Sequence, residues 1–348
     1  MALLDTEPFL ELRKIDWSKA KPEDLEKLRQ ISFSPEFRRW REIVKETIEV
    51  GEVPPRIDSS TRSYLDVGAQ AHQIRLLVAL SRLDGAEADP KALYDALKLN
   101  RAFASSDSLF VARVTAGNDS VIHERLAESL GQQSPEALRD FASSLHENSA
   151  MHSGNVLASL QSDRKHTLDW ILEDPEGLLQ LFGERPENSE LLQFFRDPIQ
   201  MQDLQKMFKR LEDRFCETWQ QSPDWSQRLQ AVQAFQNALN QGLDGRVSEA
   251  ATLHFVELLG MSADSVDTVN RIAGAEAKRQ SLAAALVVEQ FRREQGRLPV
   301  SLEEAGWAAP TEITGLNMNM HYETREGKAF LSTNKSSESK LERLEVKW

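Results

Sequence analysis

One stretch near the C-terminus constrains the fold of this chain most strongly. Residues 274–306 read GAEAKRQSLAAALVVEQFRREQGRLPVSLEEAG, and apolar side chains recur at spacings of three and four residues, as on one broad helix face. Gly296 suits the left-handed conformation in which many helices end, and Pro299 prevents the helix from resuming. Ser301 and Glu304 have the spacing of a capping box. The stretch predicts a long helix, an abrupt end and one further helical turn.

The chain before this stretch repeats the helical period. Signals such as Ser34-Pro35-Glu36 and Ser134-Pro135-Glu136 open apolar-periodic segments, and glycine or proline breaks separate these segments. Gly117-Asn118 predicts one such break. Between residues 61 and 260 no segment shows the two-residue alternation of a strand over a useful length. We therefore predict a mainly α fold, built as an irregular multi-helix bundle or as stacked helical hairpins.

After residue 306 the pattern changes to that of short strands. Residues 313–320, 321–324 and 328–332 predict two or three strands, and Arg325-Glu326-Gly327 suits a hairpin turn between the last two. A two-stranded hairpin is not stable alone, so it must pack on a helix, and the preceding long helix is the nearest one. The fold prediction therefore includes a small C-terminal α+β element, a helix plus a β-hairpin.

Composition shifts along the chain predict its domain organisation. Val53-Pro54-Pro55 is the clearest linker. We predict an N-terminal helical arm at residues 1–55, a helical array at 56–262, the long helix with its β-hairpin at 263–332, and a polar tail at 333–348.

The charge balance argues against a nucleic-acid partner. Lys plus Arg number 42 against 55 for Asp plus Glu, which gives a formal net charge of −13. The short basic clusters lie among acidic residues, whereas a nucleic-acid binder needs a sustained basic face to displace counterions. No run approaches the roughly 18 apolar residues that cross a bilayer, so we expect membrane contact only through an anchor outside this chain.

The cysteine and motif content leaves little for a cofactor to bind. Cys216 is the single cysteine, so an intrachain disulfide and a cysteine-based zinc cluster are excluded, and its apolar neighbours predict a core position. The chain contains no glycine-rich phosphate loop and no Gly-x-Ser-x-Gly elbow. His146 and His152 are six residues apart, whereas a zinc metalloprotease helix needs four. We expect no cofactor and no metal.

One group of residues has the spacing of a catalytic site. Asp163, His166 and Asp169 fall at i, i+3 and i+6, so they line one side of a helix. A carboxylate beside an imidazole can orient it as a general base. The alternative interpretation is a solvated face with local ion pairs, which the neighbouring Arg164 and Lys165 favour.

The C-terminal motif resembles a known class of proteins. The long helix ending in Phe-x-x-x-x-Gly-x-x-Pro, then Ser-Leu-Glu-Glu and a small hairpin, is similar to the C-terminal part of pilin-like and pseudopilin-like bacterial envelope proteins and to uncharacterised helical envelope proteins. The resemblance covers about residues 263–332. Its matching residues are Phe291, Gly296, Arg297, Pro299, Ser301, Leu302, Tyr322, Gly327 and Phe330. It implies an extracytoplasmic location, a membrane anchor outside this chain and a role in assembly.

Together these patterns favour a non-enzymatic interaction or scaffold protein of the bacterial cell envelope. In this interpretation the C-terminal element is a docking module, and the chain binds a protein partner or itself. The expected location faces the periplasm, with the cytoplasm as the alternative. The competing hypotheses are a hydrolase-type enzyme that uses Asp163, His166 and Asp169, and a cytoplasmic regulatory helical module.

Overall fold

A computed structural model describes most of the chain. The described residues are 9, 11–12, 14–17, 20–51, 67–83, 89, 91–104, 108–181, 190–222, 225–243, 263–307, 312–313, 318–325, 328–335 and 345–347.

The described part is a set of α-helices followed by a small antiparallel sheet, which confirms the predicted mainly α fold class. The first helices are α1 (Pro22–Ser32), α2 (Pro35–Val50), α3 (Val67–Leu80), α4 (Ala92–Phe103), α5 (Leu109–Ser129) and α6 (Pro135–Glu173). The later helices are α7 (Pro175–Leu181), α8 (Glu190–Arg196), α9 (Pro198–Gln221), α10 (Trp225–Leu243) and α11 (Ala263–Gln295). The strands are β1 (Glu312–Ile313), β2 (Met318–Arg325), β3 (Lys328–Lys335) and β4 (Glu345–Lys347).

Three helices begin with the same local chemistry. The side chains of Ser34, Ser134 and Asp197 accept hydrogen bonds from backbone N–H groups in the first turns of α2, α6 and α9. A proline follows each cap, where its missing N–H costs nothing and its fixed φ suits the helix. The first two starts are those that the Ser-Pro-Glu signals predict.

The predicted break at Gly117-Asn118 is wrong, because α5 runs through it. Asn118 is 1 % exposed, and its Nδ2 donates to Oδ1 of Asn100 on α4 at 3.2 Å. The amide is therefore engaged across the interface with another helix and does not compete for the backbone of α5. A tertiary contact thus outweighs the weak local preference of both residues.

The long C-terminal helix ends where the sequence predicts. α11 stops at Gln295, and Gly296 follows with φ +67°. Ser301 Oγ accepts from Glu304 N–H at 3.2 Å, but the Glu304 carboxylate binds Val300 N–H and Arg297 instead of closing a capping box. Residues 302–306 form hydrogen-bonded turns, and the bond from Ala305 N–H to Ser301 O at 3.3 Å closes a single α-turn where one further helical turn is predicted.

The same substitution should have opposite effects at two glycines. We expect Gly296→Ala to lower the free energy of unfolding by about 1 kcal/mol, because its positive φ strains any L side chain. We expect Gly117→Ala to raise it by about 0.5–1 kcal/mol, because alanine has less backbone entropy to lose inside a helix. Neither new Cβ has an atom within 4 Å. Urea denaturation of both variants tests this, and a stabilising Gly296→Ala would contradict it.

The C-terminal sheet is a four-stranded antiparallel meander in the order β1-β2-β3-β4. The predicted hairpin is present, with Arg325 opposite Lys328 across its turn. β4 lies in the segment assigned to the polar tail, and its Val346 is opposite Leu331. The sheet packs through β3 on α11, as predicted, and through β4 on α5. Tyr322 Oη donates to Pro299 O at 2.8 Å and so joins the sheet to the loop after α11.

Most of the buried apolar residues described form one contiguous cluster that extends from Phe9 to Leu331. α11 lies against α5, α6 and α10, while α3, α4 and α5 pack on one another, and α2 packs on α4. The linker Val53-Pro54-Pro55 lies outside the described residues, and the domain boundaries remain predictions.

Candidate functional site

The predicted catalytic group lies on the solvent face of α6. His166 and Asp169 are both exposed, and the side chain of Asp163 lies outside what the structure describes. Substrate chemistry at such a site would take place in bulk water, without the desolvated pocket in which a carboxylate–imidazole pair gains strength. The hydrolase hypothesis therefore stays a prediction without a described cleft around its residues.

Arg164, on the same helix, points the opposite way, and its assignment to a solvated face is wrong. The residue is 1 % exposed. Its guanidinium lies 4.5 Å from the ring centroid of Phe215 on α9 and 4.9 Å from that of Phe235 on α10. Its Nη2 donates to Oε1 of Glu212 at 2.5 Å. The planar cation thus fills an aromatic slot where α6, α9 and α10 meet.

Cys216 lies beside this ion pair and packs against the core. Its Sγ accepts from Gln161 Nε2 at 3.0 Å. Burial, assisted by the Glu212 carboxylate, raises the pKa of the thiol to about 11. Since the thiolate is the reactive form, this cysteine is a poor nucleophile at neutral pH.

A buried polar cluster at the α4–α5 interface was missed by the sequence analysis. Asn100 Nδ2 donates to Thr115 O at 3.0 Å and to Asp119 Oδ1 at 2.7 Å. Asp119 and His123 are 3 % and 2 % exposed, one helical turn apart on α5. The polar run Gly117-Asn118-Asp119 was the available signal, but it was interpreted as a break. Because these groups are closed off by α4, they have no described route to a ligand.

The remaining candidate metal ligands do not converge in the described part of the chain. His72 is half-buried on α3 and His321 is exposed on β2, while the side chains of His146, His152 and His254 lie outside the described residues. Among the residues described, no three His, Cys, Asp or Glu side chains stand close enough to hold a metal ion. Nor does any described helix combine the length and apolar character needed to cross a bilayer.

An open cleft beside α2 is the candidate site formed by described residues. Its volume is about 400 Å³, within the range of pockets that bind ligands or partner side chains. Apolar side chains come from three places: Phe33 between α1 and α2, Phe37 on α2, and Leu80 at the end of α3. Phe33 is 53 % exposed, while Phe37 and Leu80 are buried. The cleft thus offers one accessible aromatic side chain on a fixed apolar wall.

Three basic side chains line the cleft at helical spacing: Arg38, Arg41 and Lys45. Arg41 is anchored, because its Nη2 donates to Asp89 at 2.6 Å and to Asp95 at 2.7 Å. Its Nη1 has no hydrogen-bond acceptor in the described structure. Arg38 and Lys45 are exposed and form no side-chain ion pair or hydrogen bond with any described residue.

The acidic residues at the cleft are already engaged. Glu42 pairs with Arg39 at 3.0 Å, and Asp89 pairs with Arg41 at 2.6 Å. These pairs nearly cancel in charge, so the two free cations give the cleft a positive character on a chain of net charge −13. This arrangement can attract an anionic group and bury an apolar one beside it.

Comparisons with known proteins identify no relative: no family model, no curated protein and no solved structure matches the chain. Functional inference therefore rests on the geometry and charge of the residues described here.

Buried charges on α11 cross-link the helices. Lys278 Nζ donates to Ser120 Oγ and Glu124 Oε1 on α5, both at 2.6 Å. Arg279 Nη1 donates to Leu145 O on α6 at 2.8 Å. Arg293 Nη2 donates to Leu130 O at 3.2 Å, in the short 3₁₀ turn (Leu130–Gln132) after α5. α11 is thus held to its neighbours by directional bonds as well as by apolar packing.

Glu289 on α11 orders part of this network. Its side chain is fully buried and accepts from Arg292 Nη2 at 2.8 Å and from Arg293 Nε at 2.6 Å. Burial, the largest single influence, raises the pKa of this carboxyl group. The hydrogen bonds and charges of the two arginines together outweigh burial, so the pKa lies below its usual value.

This lowered pKa predicts a pH-dependent stability contribution. A carboxylate whose folded pKa lies below its unfolded pKa stabilises the fold above the unfolded pKa, and this stabilisation is lost as pH falls through the folded pKa. We expect Glu289→Gln to lower the free energy of unfolding by about 1.5–3 kcal/mol at neutral pH, the range for hydrogen bonds to a charged group. The difference from the native protein should vanish below the folded pKa. Urea denaturation across a pH series measures both quantities.

Glu294→Gln is the matched control, because Glu294 is exposed on the same helix and, among the residues described, accepts a hydrogen bond only from Gln290 Nε2, at 2.9 Å. We expect it to change the free energy of unfolding by less than about 0.5 kcal/mol. A pH-independent effect of Glu289→Gln would show that the two arginines do not hold this carboxylate in its charged form.

Proposed function

We propose that this protein is a non-enzymatic interaction or scaffold protein that binds a protein partner at the α2 cleft. The observation that carries the proposal is the pair of free cations, Arg38 and Lys45, beside the exposed Phe33. Groups left without a partner at the rim of a fixed apolar wall are available for recognition, whereas paired groups have already lost that capacity.

The buried charged side chains bind neighbouring helices, which supports a scaffold function. Arg164, Lys278 and Arg279 each join two helices. Charges committed to such interhelical bonds support the packing of the helices, and at Arg164 a lost bond would leave the largely buried Glu212 carboxylate uncompensated. The result is a stiff helical frame that can present a surface with little loss of conformational entropy on binding.

A location in the bacterial cell envelope and a docking role for the C-terminal element belong to the same proposal. Both rest on the resemblance of residues 263–332 to pilin-like proteins. Within this element Val300 is 75 % exposed, in the loop that Arg297 and Glu304 brace. An exposed apolar side chain on a braced loop is a suitable contact for a partner, and it lies far along the chain from the α2 cleft.

The test compares capture of partners by three forms of the protein. Native protein, Arg38→Glu/Lys45→Glu and Lys206→Glu/Lys209→Glu are used as bait in membrane and soluble fractions of the cells that make the protein. Lys206 and Lys209 are exposed on α9, so the last variant makes the same charge change away from the cleft. Mass spectrometry then measures the ratio of each captured protein to bait.

We expect one partner to be captured near stoichiometry by the native protein and the α9 variant, and at least tenfold less by the cleft variant. Reversing two rim charges replaces attraction by repulsion, and about 1.4 kcal/mol corresponds to a factor of ten in affinity. If every captured protein is retained equally by all three forms, the cleft is not the binding site and the proposal fails.

A further inference from the structure

The spacing of the free cations restricts what can occupy the cleft. Arg38 and Lys45 are seven residues apart on α2, two helical turns, which places their Cα atoms about 10 Å apart along the helix axis. Arg41, between them, is already neutralised by Asp89 and Asp95. The cleft therefore presents two separate positive positions and not one concentrated anion site. A compact anion would meet only one of them at full strength.

The apolar wall of the cleft is fixed in place by the core. Phe37 packs on Trp40 with ring centroids 5.0 Å apart and stacks on Phe9 at 6.0 Å. All three rings are nearly fully buried, so the wall is backed by the core. Phe33 stands at its edge and remains accessible. An incoming apolar side chain would thus meet a preorganised surface, the arrangement found at the centre of strong interfaces.

The net charge of the chain disfavours large polyanions as partners. Beyond the paired Glu42 and Glu46, the exposed Glu49 lies on α2, and the whole chain carries a net charge of −13. An anionic membrane or a nucleic acid presents a continuous negative surface and would be repelled by these carboxylates. A partner with two local negative charges and a neutral remainder would avoid this repulsion.

We infer that the cleft binds an acidic amphipathic helix of a protein partner, which carries two carboxylates about two turns apart and a large apolar side chain between them. The carboxylates pair with Arg38 and Lys45, and the apolar side chain packs against the exposed Phe33. This is the helix-in-groove mode, in which residues at i, i+3 or i+4, and i+7 make the contacts. The inference names the partner class for the site of the proposed function and rests on it.

The experiment is a selection from a helical peptide library. An alanine-based phage-displayed helix of about 20 residues is randomised at four positions on one face, i, i+3, i+4 and i+7, which are neighbours on a helix surface. The full chain is the bait, in its native form, as Arg38→Glu/Lys45→Glu and as Lys206→Glu/Lys209→Glu. Sequencing gives the enrichment of each residue type at each position.

We expect the native protein and the α9 variant to enrich Asp or Glu at i and i+7, with Leu, Phe or Trp at i+3 or i+4, by at least fivefold over the unselected library. The cleft variant should instead enrich Lys or Arg at i and i+7. This reversal of preference follows from reversing both cations and cannot be produced by loss of folding. Equal enrichment by all three proteins, or no acidic enrichment, would overturn the inference.

Other occupants are tested with the same three proteins. Phosphatidylglycerol vesicles, single-stranded DNA and the protein itself, by sedimentation, are the probes. Vesicle or DNA binding that is stronger than binding of the selected acidic peptide, and that the cleft variant loses, would overturn the inference. Dimerisation that the cleft variant loses would overturn it as well.

The proposed partner-binding function and the acidic-helix inference can fail independently. A cellular partner lost only by the cleft variant, with no acidic peptide enriched, leaves the proposed function intact and removes the acidic-helix inference.

Discussion

Replacing Arg164 by alanine should lower the free energy of unfolding by about 3–5 kcal/mol, the range for breaking a buried ion pair from one side. The substitution leaves the Glu212 carboxylate, whose side chain is only 19 % exposed, without its cation. It also empties the slot between Phe215 and Phe235 that the guanidinium fills. Urea denaturation followed by circular dichroism measures the loss.

Two control variants test whether the loss comes from the buried ion pair of Arg164. Lys165→Ala changes the adjacent exposed residue of α6 and should cost less than about 0.5 kcal/mol. Arg164→Met combined with Glu212→Leu removes both charges and keeps apolar volume, so it should recover most of the loss. If Arg164→Ala costs less than about 1 kcal/mol, the guanidinium is not the buried junction of α6, α9 and α10 described above.

Lys278→Ala is expected to lower the free energy of unfolding by about 2–4 kcal/mol, mainly through lost packing of its long aliphatic stem. The side chain is 2 % exposed and lies between α11 and α5, whereas its partner Glu124 is 52 % exposed. Water can therefore solvate Glu124 once the ammonium group is removed. The same denaturation measurement applies.

Lys278→Met distinguishes the packing of the aliphatic stem from the ion pair with Glu124, since methionine keeps most of the stem and lacks the charge. We expect it to cost about 1 kcal/mol, the order of a partly exposed ion pair. A methionine variant as unstable as the alanine variant would show instead that the bonds to Ser120 and Glu124 dominate.

The fold class could be predicted because it is encoded in local signals. Ser34 and Ser134 each act as a cap within three residues of their own position, and Gly296 ends α11 through its own φ. The hairpin turn between β2 and β3 is equally local. Such features need no knowledge of distant residues. The predicted helix end at Gly117-Asn118 was wrong because a contact with another helix decides the local structure there: Asn118 donates a hydrogen bond to Asn100 on α4.

The candidate cleft could not be predicted from the sequence for the same physical reason. Its lining comes from the end of α1, Phe33, α2, the end of α3 and Asp89, and only tertiary packing brings the last two close to the others. Arg38, Arg41 and Lys45 look alike in the sequence, although Asp89 and Asp95 neutralise only the second of them. Arg164 and His166 likewise lie two residues apart on one helix, yet one is buried and the other exposed.

The position of α11 in the chain has a consequence for synthesis. Lys278 binds Ser120, which precedes it by 158 residues. At translation rates of about 5–20 residues per second, roughly 8–32 s pass between the emergence of these two residues from the ribosome. During that interval the face of α5 that α11 later covers is open to water and to other nascent chains. We therefore expect chaperones to bind the first half of this protein during synthesis, since transiently exposed apolar surface favours aggregation.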